Sequence, residues 1–302
     1  MLKFTRHLIA AASFAALALP CTPAFAVTEQ ITILSGGLKR NAVFVEHVRL
    51  KRKLRPVVIV LHGGNGTGAR VRKNLGLEDF SPSASAIMVY PDAINGRWPD
   101  RAGPEATRDI TYLKDLVAKL IADGTADKNR IFLVGSSTGG MMAMRAVCET
   151  DLFAGAATLI ANMPAELAAT CKPPRATAYF TLIGTADPQV PYNGGPTNLL
   201  DTKVDVAGSD ASLAPFAAAA ACAKTPPTTT PLADRNTLDG SRVYLDKFNE
   251  CKAPVVRMRI EGGGHTIPGR WDATNRGQAV GATNRDIDAA RVIWDFIKRI
   301  GG

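Results

Sequence analysis

The sequence predicts an α/β chain, with a mostly parallel central sheet and helices on both of its faces. Two observations carry this. Short, β-branched apolar runs at Pro56 to Leu61, Ala86 to Tyr90 and Arg130 to Val134 alternate with longer stretches of helical periodicity. Uninterrupted runs of that kind suit parallel strands buried on both sides. Several runs also end in glycine-dense loops, at His62 to Gly68, Gly135 to Gly140 and Gly262 to Gly264. With 302 residues, 46% of them apolar, and no internal repeat, the chain can bury one large core.

Taken in order, residues 1–26 place Lys3, Arg6 and His7 before an apolar run from Leu8 to Leu19 and end in Ala24-Phe25-Ala26, the pattern of a cleaved secretory signal. The apolar run is too short to span a bilayer comfortably. The Ala18-Leu19-Pro20 that precedes Cys21 does not make a lipid-attachment site, so no membrane anchor is expected. The expectation is one domain over 27–302 in a secreted or periplasmic chain.

Residues 31–35 and 42–50 read as two strands joined at Gly36-Gly37, with His47 a strand residue. Lys51-Arg52-Lys53 with Arg55 reads as a solvated hairpin end. Without Lys3 and Arg6 the net charge of +9 falls by two. The cations are dispersed and no nucleic-acid motif accompanies them, so no nucleic-acid partner is expected. The run Pro56 to Leu61 opens into His62-Gly63-Gly64-Asn65-Gly66-Thr67-Gly68, where backbone N–H groups can approach a ligand closely. A phosphate loop would close on Gly-Lys-Ser/Thr, and here Ala69-Arg70 follows. His62 reads as a residue that orients the loop.

Residues 69–78 read as a short helix and Ala86 to Tyr90 as a strand. The loop from Ile94 to Glu105 holds Trp98, which reads either as an exposed ring and candidate substrate contact or as a plug that fastens the loop to the body. Ile110, Leu113, Leu116, Val117, Leu120 and Ile121 recur at helical spacing within an amphipathic helix over 106–122.

Val134-Gly135-Ser136-Ser137-Thr138-Gly139-Gly140 then lies between a strand and a helix-forming stretch from Met141 to Thr150. Strand, tight turn and helix are the context that the G-x-S-x-G elbow requires. Its central serine is Ser137; Ser136 has no glycine two residues before it. Strands follow at Ala154 to Ile160 and Ala178 to Ile183, and the second runs into a loop with Asp187. Asp201, Asp205 and Asp210 are its rivals, in a looser polar stretch. Residues 194–250 read as an Ala-rich helix near 212–223, a Pro/Thr-rich loop at 225–231, and a candidate lid. The strand Ala253 to Ile260 ends in Glu261-Gly262-Gly263-Gly264-His265, and an amphipathic helix over 287–300 closes the chain.

Ser137, Asp187 and His265 thus stand in loops after successive strands, in the chain order Ser, Asp, His. A serine is a weak nucleophile until an imidazole takes its proton. The carboxylate orients that imidazole and stabilises its charged form. The N–H groups of Thr138 and Gly64 are the candidate oxyanion donors. Past the signal the chain keeps Cys148, Cys171, Cys222 and Cys251. An even number in an exported chain suggests two disulfides, with three possible connectivities. The sequential pairing would close two loops, each contributing roughly 3 kcal/mol. None has metal-ligand spacing, and no metal or cofactor is expected.

Leu61-His62-Gly63-Gly64, Tyr90-Pro91-Asp92, Gly135 to Met142, Gly184 to Asp187 with Pro191 to Gly195, and Gly262 to Thr266 together resemble the secreted polyhydroxybutyrate-depolymerase-like esterases. These are close to the feruloyl and acetylxylan esterases of carbohydrate esterase family 1. The resemblance spans most of residues 31–299. It implies the α/β-hydrolase fold, Ser137 as nucleophile, Asp187 as acid, His265 as base, and cysteine pairs of the sequential kind. It implies a serine carboxylic-ester hydrolase acting on hydroxyalkanoate oligomers or small acyl esters. Feruloyl or acetylxylan ester hydrolysis is an alternative; acyl transfer and a silent binding protein on the same scaffold are others. Where the family usually carries Trp this chain has Ile267, and where it usually carries Trp-Asn-Asp this chain has Trp98-Pro99-Asp100. Ile267 therefore joins Trp98 as a candidate substrate contact, expected to favour aliphatic over aromatic acyl groups, with a side chain turned into the core as the alternative.

Overall fold

A computed structural model of the protein describes residues 26–47, 54–81, 85–199, 203–270 and 279–301. The signal segment up to Phe25 and the Lys51-Arg52-Lys53 cluster lie outside the described residues. Twelve strands are described: β1 Ala26–Ser35, β2 Leu38–His47, β3 Arg55–Leu61, β4 Ile87–Pro91, β5 Ala126–Ser136, β6 Gly155–Leu159, β7 Ala178–Gly184, β8 Gly195–Pro196, β9 Asp205–Val206, β10 Thr228–Pro231, β11 Arg242–Lys247 and β12 Val255–Glu261. The helices are α1 Gly68–Leu75, α2 Pro104–Ala122, α3 Thr138–Glu149, α4 Ala165–Thr170, α5 Ser209–Ala219 and α6 Ala289–Gly301.

Ten strands form one sheet in the order β1-β2-β4-β3-β5-β6-β7-β12-β11-β10. The six from β4 to β12 are parallel, and an antiparallel ribbon flanks them on each side. β3 shows why the centre is built this way. Val57, Ile59 and Leu61 face a layer shared with α2, α3 and α5, while Val58 and Val60 face the layer under α1 and α6. A strand covered on both faces has no polar side, hence its continuous apolar run. The parallel arrangement brings the carboxyl ends of β3, β5, β7 and β12 to one edge, where their glycine-rich loops meet.

Several expectations are corrected here. Arg55 does not belong to a solvated hairpin end: it is buried at the start of β3 and ion-paired with Glu46. Residues 228–231 are an exposed edge strand within the expected Pro/Thr-rich loop. β11 lies in the stretch that reads poorly, because Arg242 and Lys247 bracket it and Asp246 sits inside it. That carboxylate is buried and held by Arg257 at 2.9 Å and Arg259 at 3.4 Å, both on β12. The Ala-rich helix is α5, starting earlier than expected at Ser209. It packs on the sheet, with the Phe216 ring stacked 3.8 Å from that of Tyr179. Disulfides join Cys148 to Cys171 and Cys222 to Cys251. The first ties the end of α3 to the end of α4. Among the described residues no helix is long and apolar enough to cross a membrane.

Candidate active site

The elbow is defined by sterics. Ser137 stands between β5 and α3 at φ 53°, ψ −124°, a left-handed conformation that a non-glycine residue holds only at a cost of about 1–3 kcal/mol. Its N–H is anchored to the Leu159 carbonyl of β6 at 2.9 Å. A Cβ on Gly135 would strike the Gly139 carbonyl, and one on Gly139 would strike the carbonyls of Leu61 and His62. Glycine at both places lets the chain reverse and lets α3 press against the end of β3. Side chain and backbone thereby lift the Ser137 hydroxyl over the sheet edge.

His265 arrives on the loop after β12. Its N–H donates to the Val280 carbonyl at 2.6 Å, while Gly264 N–H and the Thr266 hydroxyl both reach the Ala282 carbonyl at 2.9 Å. The imidazole Nε2 lies 3.0 Å from Ser137 Oγ, and Nδ1 lies 2.8 Å from Asp187 Oδ2. A carboxylate only accepts, so Nδ1 carries the proton and the Nε2 lone pair faces the serine hydroxyl. The other oxygen of Asp187 accepts from the N–H groups of Gln189 and Val190, each at 2.8 Å. The Asp187 side chain has no solvent exposure and that of His265 only 8%. A hydroxyl, a tautomer-fixed imidazole and an anchored carboxylate in line can move a proton off the serine as it attacks a carbonyl.

The loop after β3 runs over this group. A Cβ on Gly63 would lie 3.4 Å from Ser137 Cβ, and one on Gly64 would lie 3.8 Å from Thr138 Oγ1. Thr138 and Gly64 therefore face each other beside the serine. His62 has the orienting place expected of it: Nδ1 donates to the Gly63 carbonyl at 2.7 Å and Nε2 accepts from Ala93 N–H at 3.1 Å. Burial holds its pKa below the usual histidine value, outweighing the Gly63 bond and the nearby Asp92.

With this geometry in hand, the relatives can be weighed. NocK of Nocardia uniformis subsp. tsuyamanensis, named as an esterase, is 28% identical over 267 residues, 82% of this chain and 75% of NocK. Feruloyl esterase B of Piromyces equi is 25% identical over 225 residues, 70% of this chain and 40% of that protein. The acetyl xylan esterase of Aspergillus awamori superposes with a TM-score of 0.58 over 80% of this chain and 95% of its own, at 16% identity. The pattern of the prolyl oligopeptidase family matches residues 103–166, from α2 through the elbow. The chain has the α/β-hydrolase fold, and its relatives are esterases. Fold and relatives together support a carboxylic ester hydrolase.

The two candidate substrate contacts take the packing side of their alternatives. Trp98 has no exposed surface; its ring is in the core beside His62, with centroids 5.5 Å apart, so it fastens its loop to the body instead of meeting a substrate. Ile267 is half-buried and packs against the apolar layer under α1 and α6. Of the rival carboxylates, Asp210 pairs with Arg257, and Asp201 lies outside the described residues. Asn162 was missed altogether. It is buried after β6, and its amide donates to the carbonyls of Pro191 at 2.8 Å and Tyr192 at 3.3 Å, bracing the loop that carries Asp187. Nothing in its local sequence announces this, because the partners are backbone atoms about thirty residues away.

Proposed function

We propose that the protein is an extracytoplasmic serine esterase that hydrolyses small acyl or hydroxyacyl esters through an acyl-enzyme on Ser137. The observation that carries this reading is the pair of contacts at 3.0 and 2.8 Å that links Ser137, His265 and Asp187 from three separate loops. In the first half-reaction His265 Nε2 takes the Ser137 proton as Oγ attacks the ester carbonyl. The N–H groups of Thr138 and Gly64 receive the charge that builds on the carbonyl oxygen. The imidazolium, held by Asp187, gives its proton to the departing alcohol. In the second half-reaction His265 takes a proton from water, hydroxide attacks the acyl-enzyme, and Ser137 leaves with the proton returned. Two disulfides suit an oxidising compartment and support export.

Hydroxyalkanoate oligomers are the first substrate class to try. The feruloyl and acetyl xylan esterases among the relatives favour a second, esters that decorate polysaccharide. The test is turnover of nitrophenyl butyrate, hydroxybutyrate oligomers, methyl ferulate and acetylated xylan by the protein and by Ser137→Ala and Ser136→Ala. Ser137→Ala is expected to lower kcat by roughly 10⁴-fold or more, with Ser136→Ala costing far less. A dead Ser136→Ala beside an active Ser137→Ala overturns the assignment. A product ester formed on adding alcohol acceptors marks acyl transfer, and no turnover of any ester marks a silent scaffold.

A further inference from the structure

One polar atom at the elbow has no partner. Thr138 is 3% exposed, and its hydroxyl oxygen is closed to solvent and makes no hydrogen bond. Threonines in or after a helix of this chain satisfy themselves by bonding back to a carbonyl one turn earlier. Thr107 reaches Gly103, Thr111 reaches Thr107, Thr150 reaches Ala146 and Thr170 reaches Glu166. Thr138 has no such recourse, because it opens α3 and the residues one turn before it lie in β5. A buried hydroxyl without a partner is destabilising and calls for an explanation.

Its position supplies one. A Cβ on Gly64 would lie 3.8 Å from Thr138 Oγ1 and 3.9 Å from Thr138 Cγ2, so both branches of the side chain face the glycine loop. Rotation about χ1 can carry the hydroxyl into the place of the methyl without moving the backbone. The hydroxyl therefore stands beside Gly64, and these two residues are the ones whose N–H groups are proposed to receive the oxyanion. We infer that the Thr138 hydroxyl is a third oxyanion donor. It keeps its proton and shares it in a hydrogen bond with the carbonyl oxygen as that oxygen gains charge. An interaction absent from the free protein and complete only in the tetrahedral state raises kcat without tightening ground-state binding. The hydroxyl is closed to water in the free protein, so it meets the oxyanion only after that rotation. The inference rests on the esterase reading of Ser137 and deepens it.

The test compares Thr138→Val, which keeps the shape and removes the donor, with Thr138→Ser, which keeps the donor. On nitrophenyl butyrate, Thr138→Val is expected to lose roughly 10²-fold in kcat, the scale of one oxyanion donor, with little change in KM. Thr138→Ser should lose at least tenfold less. Inhibition by butylboronic acid, whose tetrahedral adduct on Ser137 mimics the charged state, should weaken in step with kcat. The melting temperature of Thr138→Val should stay level or rise, since a stranded hydroxyl gives way to a methyl. Wild-type kcat in Thr138→Val, equal losses in both variants, or a melting temperature that falls together with kcat each overturn the inference. An inactive Ser137→Ala beside an unimpaired Thr138→Val removes only the third donor; an active Ser137→Ala removes the esterase reading itself.

Discussion

Replacing Asp187 by Asn exchanges one heavy atom and should abolish most of the activity, for a reason visible in the hydrogen bonds around it. Oδ1 accepts from two backbone N–H groups, Gln189 and Val190, while Oδ2 accepts from His265 Nδ1. An amide must put its oxygen on one side and its NH₂ on the other. Facing NH₂ towards Gln189 and Val190 would set donors against two donors, so the oxygen stays there and the NH₂ turns to His265. The imidazole can then only accept at Nδ1, which moves its proton to Nε2. That N–H points at Ser137 Oγ and has no lone pair with which to take the serine proton. Holding the base in the wrong tautomer costs about 10⁴-fold in kcat. The fold should survive, because all three hydrogen bonds persist in neutral form. Asp187→Ala strands two N–H donors instead, one buried and one partly so, at about 3 kcal/mol in all. For a chain of this length that corresponds to a loss of about 6 °C in melting temperature. The assay is kcat on nitrophenyl butyrate beside thermal unfolding for both variants. An Asn variant that keeps more than a tenth of wild-type kcat refutes the tautomer argument. An Asn variant that melts as low as the Ala variant refutes the claim that the backbone donors fix the amide.

Two further predictions concern stability. The disulfides span sequence separations of 23 and 29, for which chain entropy gives about 3.5 kcal/mol each. Reductant should therefore lower the melting temperature by several degrees, and peptide maps of the oxidised protein should show the two pairs; a melt indifferent to reductant would contradict this. The buried His62 resists protonation below its unfolded value of 6.5. As pH falls through 6.5 the unfolded chain binds a proton that the folded chain refuses, so stability declines until the lowered folded value is passed. Urea unfolding at pH 7.5 and pH 5 should show that loss, and His62→Asn should reduce it; an equal slope in the variant assigns the acid sensitivity elsewhere.

The central strands and the three loops were legible because their chemistry is local. A buried parallel strand must be apolar throughout, an elbow must have its two glycines, and the residues that leave the sheet must follow the strand ends. β11 was not legible, because what makes Asp246 tolerable inside a strand is Arg257 and Arg259 on its neighbour. β10 reads as a loop since threonine and proline suit an exposed edge as well as a turn. Trp98 was open to two readings, and packing decides between them. A loop position suggests exposure, yet a large ring loses more by facing water than the short loop loses by folding inward. Asn162 belongs with these, as its value lies wholly in the backbone it meets.

The left-handed backbone at Ser137 bears on how such a protein changes over generations. Glycine adopts that conformation freely, so a lineage released from catalysis would gain stability by exchanging the serine for glycine. Selection for stability alone therefore works against the residue found there. Its presence, with both flanking glycines and an imidazole 3.0 Å away, is what continued selection for turnover would leave behind.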